Sequence, residues 1–267
     1  MMRKGSRPRD NRPMPDALSI ASIASALGPL AVRFDVDVLP ECTSTNTVLL
    51  ERAGQGAPAG TVVVAERQTA GRGRLGRAWI SAAGDSLTFS LLWRLPAGRA
   101  PSGLSLAVGV GIAEALRGLG VEGIALKWPN DILLDGRKLG GILVEMTSSS
   151  IAIGVGLNLR LPADLPDDVR ATAAALGTEI EANLLLGRLL AALHHVLEEF
   201  GAHGFAALRD RWQALNAHAG VPVRLLAGVA EAQEGVCAGI DVDGALLLET
   251  AVGLRRIVSG DVSLRTV

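Results

Sequence analysis

The chain of 267 residues carries 26 Lys and Arg against 27 Asp and Glu, a formal net charge of −1, and 49% of it is apolar. That length and composition suit one or two domains with a sizeable core, exclude a wholly disordered chain, and leave no global basic field for non-specific nucleic-acid binding. Two cysteines, Cys42 and Cys237, argue against a disulfide-stapled secreted fold, and the absence of tyrosine leaves the core mainly to Leu, Val, Ile and Ala.

Residues 1–15 are basic, contain proline and lack apolar periodicity, so they read as a disordered tail. Over 17–32, Leu18, Ile20, Ile23 and Leu27 make an apolar helical face. Ser19, Ser22 and Ser25 draw a polar stripe beside it that a secretory signal does not need. An amphipathic helix ended by Gly28-Pro29 is predicted, in a cytoplasmic protein with no membrane span. Residues 33–39 alternate like a strand. Ser44-Thr45-Asn46 then opens a helix, with Ser or Thr as its N-cap and Gly54 or Gly56 as its end. Residues 61–65 and 87–95 read as strands, 102–119 as a helix of small residues, and 125–128 as a short extended run broken by Pro129. Runs 132–134 and 138–146 flank Asp135-Gly136, a hairpin turn, and 151–159 alternates again. These segments predict an α+β arrangement: a mixed, largely antiparallel sheet with helices on one face. Helical spacing returns over 181–200 and 205–217. From 221 onward, runs at 223–226, 236–240, 245–249, 254–258 and 262–265 predict a small β-barrel. The expected organisation is a tail 1–15, a larger domain 16–219 and a small domain 220–267.

Three constellations could carry chemistry. In Gly71-Arg72-Gly73-Arg74-Leu75-Gly76-Arg77, glycines let the backbone turn tightly and expose N–H groups, while arginines supply forks that fit phosphate or carboxylate. No Gly-Lys-Ser/Thr closes the run and no helix signal follows it, so it is neither a Walker loop nor a dinucleotide fingerprint. Alone it reads as a solvated loop or an Arg/Gly nucleic-acid segment. The bracketing strands and Trp79 set it apart. In the second group, Lys127-Trp128-Pro129-Asn130-Asp131 precedes the hairpin and Lys138-Leu139-Gly140-Gly141-Ile142-Leu143 follows it. Lys127 and Lys138 can converge on one anion there, and the glycines permit close approach. Asn130 and Asp131 serve equally well as ordinary turn residues. The third group, Ser44-Thr45-Asn46, is by itself a helix cap. Asn158 is polar inside the apolar, Gly-spaced run 154–159 and needs a partner or a ligand. His194, His195, His203 and His218 read as exposed helical histidines without metal-ligand spacing, and Cys42 and Cys237 as small core thiols.

Taken in order, these motifs resemble the biotin protein ligase family: Ser44-Thr45-Asn46, Gln68 before the Gly/Arg run and Trp79, the Lys127 and Lys138 segments, and Gly154 to Asn158. The run 239–244, Gly-Ile-Asp-Val-Asp-Gly, looks like that family's small C-terminal barrel. The resemblance covers about residues 33–266. It implies a catalytic domain related to class II aminoacyl-tRNA synthetases and lipoate ligases, followed by an SH3-like barrel. It implies that biotin's carboxylate attacks the α-phosphate of ATP to give biotinyl-5′-AMP and pyrophosphate. A lysine of a biotin carboxyl carrier protein then takes the biotinyl group and releases AMP. By motif match, Lys138 and Arg74 are the catalytic residues, with Lys138 on the biotin carboxylate and α-phosphate. Arg72, Gly73 and Arg74 wrap biotin and the adenylate, and Ser44, Thr45, Asn46 and Gln68 hold the ureido ring. Arg77 and Lys127 serve the phosphates, Trp79 covers the ligand, Asn158 lies near adenine, and Asn130 and Asp131 belong to the nucleotide side. Mg2+ is expected with ATP, held mainly by phosphates and water, so no metal ligand is named. The loop 71–77 is expected to be mobile when empty and to order on ligand binding.

About 32 residues precede the match, too few for the helix-turn-helix domain of some family members. A monofunctional ligase without operator binding is therefore expected, as a monomer or weak homodimer. The alternative is a lipoate or octanoate ligase, which shares the fold and the acyl-adenylate chemistry. A non-enzymatic nucleic-acid module using Arg72, Arg74 and Arg77 leaves Lys138 and Asn158 unexplained.

Overall fold

The computed structural model describes residues 17–147, 150–162, 165–177, 179–227, 230–258 and 262–266. The expected tail 1–15 and the turn at Ser259-Gly260 lie outside these residues. The first helix, α1 (Ile20–Leu27), is capped by Ser19 and ends at Gly28, whose φ of 57° is one that glycine adopts without strain. It ends where the sequence predicts, at Gly28-Pro29, and Pro29 lies in a 3-10 turn over Gly28–Arg33. Ile23 and Leu27 are buried, whereas Ile20 faces outward on the serine side.

Seven strands form the main sheet: β1 (Asp35–Cys42), β2 (Thr61–Gln68), β3 (Ser86–Trp93), β4 (Ile124–Lys127), β5 (Asp131–Leu134), β6 (Arg137–Met146) and β7 (Ile151–Asn158). Their spatial order is β1-β2-β3-β7-β6-β5-β4. β1 and β2 are parallel and the other neighbouring pairs antiparallel, as the sequence predicts. The β5–β6 turn has positive φ at both Asp135 and Gly136, the primed geometry that suits the twist of a two-residue hairpin.

Helices cover both faces, not one. α3 (Leu104–Gly118) and α5 (Ala182–His203) pack with α1 over Val62, Val64, Phe89, Leu91 and Ile153. α2 (Thr45–Gly54) lies on the opposite face, over Val63, Leu92 and Ala152. The unbroken apolar run of β2 already carries this information, since a strand buried on both faces has no polar alternation. The segment 205–217 holds a 3-10 turn and one short helix, α6 (Arg209–Gln213), while α4 (Asp167–Thr172) was not anticipated from the sequence. No helix among the described residues is long and apolar enough to cross a membrane.

The last segment forms a second, five-stranded antiparallel sheet of order β11-β10-β9-β8-β12: β8 (Pro222–Ala227), β9 (Ala230–Ile240), β10 (Leu246–Thr250), β11 (Gly253–Ile257) and β12 (Val262–Thr266). β9 starts six residues before the predicted 236 because pairing with β8 extends it through polar positions. Val223, Leu225, Cys237, Ile240, Leu246 and Leu248 join the same apolar cluster as α3 and α5, so one core runs beneath both sheets.

Candidate functional site

A cleft opens above the C-terminal end of β2 and the N-terminus of α2, beside the β4–β5–β6 hairpins. Its floor is a closed network of small polar groups. Thr45 donates to Gln68 Oε1 from its backbone N–H at 2.7 Å and its hydroxyl at 3.2 Å. The Ser90 hydroxyl lies 2.7 Å from Thr45 Oγ1 and 2.6 Å from Asn46 Oδ1. Ser44, Thr45, Asn46, Gln68 and Ser90 are all buried. Ser44 occupies the N-cap position, but its hydroxyl makes no capping bond and lies on the cleft wall. The glycines of β7 leave room for what stands on them. A Cβ at Gly154 would sit 2.5 Å from Asn46 Oδ1, and one at Gly156 would sit 2.5 Å from the Trp79 ring. Trp79 is thereby pressed flat against the sheet, and its indole N–H is buried without a hydrogen-bond partner.

Two cationic segments form the rim. The Gly/Arg loop is a pinched turn in which Gly73 N–H donates to Arg77 O at 2.7 Å and Trp79 N–H to Gly71 O at 2.9 Å. Leu75 adopts φ 59°, an uncommon value for a non-glycine residue and one that clusters in functional loops. Arg72, Arg74 and Arg77 line the cleft, with Arg72 and Arg77 exposed. Opposite them, Lys138 Nζ lies 2.6 Å from Asp131 Oδ1, and Lys127 Nζ lies 3.9 Å from Asp131 Oδ2. Asn130 closes this side by donating to Ile142 O at 2.9 Å and accepting from Ile142 N–H at 3.0 Å. The Trp128-Pro129 peptide is cis. Trp128 is fully buried, and its Nε1 donates across to Gly244 O, in the turn between β9 and β10, at 3.1 Å.

The fold thus gathers Ser44, Thr45, Asn46, Gln68, Arg72, Gly73, Arg74, Arg77, Trp79, Lys127, Asn130, Asp131 and Lys138 around one cavity. Asn158 is the exception. It lines an adjoining, more apolar cavity with Asp85, Arg160, Leu165 and Val169, separated from the first by Trp79 and Lys138. Its Nδ2 donates to Ala174 O at 2.9 Å, the partner that its apolar strand required. Ser90 and Glu145 escaped sequence reasoning: each sits in an ordinary strand pattern and meets its partners only through the fold.

The histidines need correcting. His195 and His203 are exposed, but His194 is half-buried against Phe34 and Trp93, and His218 is buried. Burial first, and then neighbouring Lys127, lowers the His218 pKa. Cys237 is a core thiol, whereas Cys42 is half-buried at the end of β1. Among the described residues no group of three or more His, Cys, Asp or Glu could hold a metal ion.

Comparison with known proteins gives a consistent result. Residues 38–161 match the Biotin/lipoate A/B protein ligase family and residues 218–265 the Biotin protein ligase C terminal domain. The bifunctional ligase/repressor BirA of Escherichia coli is 38% identical over 95% of this chain and 81% of its own length. The biotin–[acetyl-CoA-carboxylase] ligase of Mycobacterium tuberculosis is 36% identical over 85% of this chain and 88% of its own. The biotin protein ligase of Aquifex aeolicus, solved in complex with biotin and ATP, superposes with a TM-score of 0.78 at 30% identity, over 87% of this chain and 99% of that one.

Proposed function

The chain belongs to the biotin protein ligase family, and from that premise we propose how its own residues perform ATP-dependent biotin attachment. The acceptor in this proposal is a lysine of a biotin carboxyl carrier protein; the Mycobacterium tuberculosis relative is named for acetyl-CoA carboxylase. The observation that carries the reading is the division of the cleft into a buried polar floor and a cationic rim. A ureido ring offers two N–H donors and one carbonyl acceptor, which small hydroxyls and amides can match. The floor formed by Ser44, Thr45, Asn46, Gln68 and Ser90 has that character. Trp79 supplies the apolar wall for the valeryl chain.

The chemistry brings a carboxylate against a triphosphate, so repulsion between the reactants dominates the barrier. Cations aimed at the α-phosphate lower it, because they stabilise charge that develops as the phosphorus becomes five-coordinate. Lys138 takes this role, with Arg74 across the cleft. Asp131 holds the Lys138 ammonium at 2.6 Å, on the wall of the cavity. Arg77 and Lys127 face the departing pyrophosphate. In the second half-reaction a neutral lysine amine attacks the mixed anhydride and AMP leaves. Closure of the loop 71–77 keeps water from that anhydride. Asn158, in the adjoining apolar cavity, faces the adenine. Asp131, already paired with two lysines, is the carboxylate available in this cavity. Magnesium, which neutralises phosphate charge when bound, therefore enters on the nucleotide rather than in a protein cage.

Incubation with biotin, Mg-ATP and a carrier domain, read by intact mass, tests the reading. Biotinylation of one lysine and pyrophosphate exchange with biotin but not lipoate are expected. Exchange with lipoate alone would overturn it in favour of the lipoyl reading.

A further inference from the structure

Glu145, on β6 opposite Ala152 of β7, belongs to none of the motifs that mark the cleft. Its two carboxylate oxygens nevertheless serve two different parts of it. Oε2 accepts from Asn46 Nδ2 at 2.8 Å, and Oε1 pairs with Arg72 Nη2 at 3.5 Å. The first partner is in the floor and the second is the leading arginine of the loop. The Asn46 amide is shared among several groups. Its Nδ2 also donates to Leu143 O at 3.2 Å, its Oδ1 accepts from Ser90, and Gly154 is packed against it. Arg72 Nη2 reaches Thr47 Oγ1 at 3.0 Å as well, on the residue that follows Asn46. The side chain of Arg72 is therefore engaged with α2 and Glu145.

We propose that Glu145 is a positioning residue for the ligation reaction, tying the loop to the floor through Arg72 and Asn46. The proposal rests on the biotin-binding reading of the same cleft. A ligand that fixes Asn46 also fixes Oε2, and because the carboxylate is rigid and planar it fixes Oε1 as the anchor for Arg72. Floor occupancy is thus transmitted to loop closure. A glutamine at 145 keeps the shape but offers one oxygen and one NH2, so it turns a donor toward either Asn46 Nδ2 or Arg72 and loses one of the two contacts. A half-exposed ion pair adds little stability by itself, so the effect is on coupling rather than on folding.

Trypsin cuts after Arg72, Arg74 and Arg77, which makes loop cleavage the readout. In the wild type, saturating biotin is expected to slow cleavage within 71–78 by about tenfold. In Glu145→Gln, biotin still binds, measured by calorimetry, but at saturation it slows cleavage less than about twofold. A residue of purely structural importance would alter affinity or the melting midpoint, not protection at full occupancy. Protection equal to wild type in a biotin-saturated Glu145→Gln variant overturns the latch, as does a wild-type loop that biotin leaves equally cleavable. If Glu145→Gln does not fold, Arg72→Gln removes the other partner and is expected to lose protection at the remaining two sites. Wild-type protein that fails to bind biotin would instead remove the functional reading on which the latch depends.

Discussion

The two cationic segments of the cleft carry the same kind of charge on different kinds of support. The Gly/Arg loop is held by cross-loop backbone bonds and by the contacts of Arg72 with Thr47 and Glu145, with Arg72 and Arg77 exposed. The lysine side is built into the sheet. Lys127 and Lys138 sit on β4 and β6 and share Asp131, and Trp128, next to Lys127, is buried and bonded to the turn between β9 and β10. A loop that moves can enclose a ligand but cannot aim a charge to within a fraction of an ångström. A strand can aim it but cannot open. The division suggests that the lysine side sets the rate of phosphoryl attack and the arginine side sets ligand retention.

The largest expected effect follows from this. Lys138→Met should lower single-turnover biotinyl-AMP formation by about 100- to 1,000-fold while leaving the melting midpoint nearly unchanged. A loss confined to the KM for ATP would break the comparison, since it would reduce Lys138 to a binding charge like those of the loop. Next comes Trp128→Phe, which keeps the packing but leaves the buried Gly244 carbonyl without its donor at a cost of about 1–3 kcal/mol. Because Trp128 leads through Pro129 and Asn130 to Asp131, the turnover rate should fall about tenfold at saturating substrates. A drop in thermal midpoint without any change in turnover would show that the second sheet only stabilises. Smaller again is Arg77→Gln, where an exposed cation is removed. The KM for ATP should rise a few-fold and lessen with salt, and the single-turnover rate should hold. A tenfold fall in that rate would place the loop among the aiming elements.

What could be seen in the sequence was whatever is encoded over short spans. The Asp135-Gly136 turn, the Gly/Arg run, the lysines flanking one hairpin and the seventeen-residue reach from Lys127 to Leu143 needed only local chemistry, and the fold keeps them together. The hidden part is long-range. Ser90 meets Thr45 and Asn46 across 45 and 44 positions, and Glu145 meets Asn46 across 99. Nothing within either strand distinguishes these residues from ordinary neighbours. The second helical layer was hidden for a different reason. Val62, Val63 and Val64 are buried on alternate faces, and continuous apolarity in a short run reads as strand propensity before it reads as two-sided cover. His218 reads as an exposed helical histidine because it follows a helical run and lacks metal-ligand spacing. Its burial depends on the bridge between Leu126 and Asn216 that draws the chain under β4.

That histidine supplies the smallest and most specific test of how rigid the lysine side is. His218 is buried, its Nδ1 has no partner, and Lys127 is the charged group that acts on it. Burial and then Lys127 lower its pKa, so the folded chain binds fewer protons there than the unfolded chain does. The resulting stability is fully present above the ordinary value of 6.5 and is lost as pH falls below it. The half-buried His194 on α5 acts with the same sign, again through burial, so the two must be separated by substitution. Melting midpoints taken from about pH 8 to about pH 5.5 should therefore decline, and His218→Gln should flatten part of that decline. If the lysine side is rigid, the single-turnover rate of the wild type should fall over the same interval more steeply than that of His218→Gln, because a second positive charge beneath Lys127 strains the seat of the aiming cations. Identical pH profiles for the two proteins, in rate as well as in midpoint, would mean that the strand can absorb the extra charge and that its stiffness is not what aligns Lys127 and Lys138.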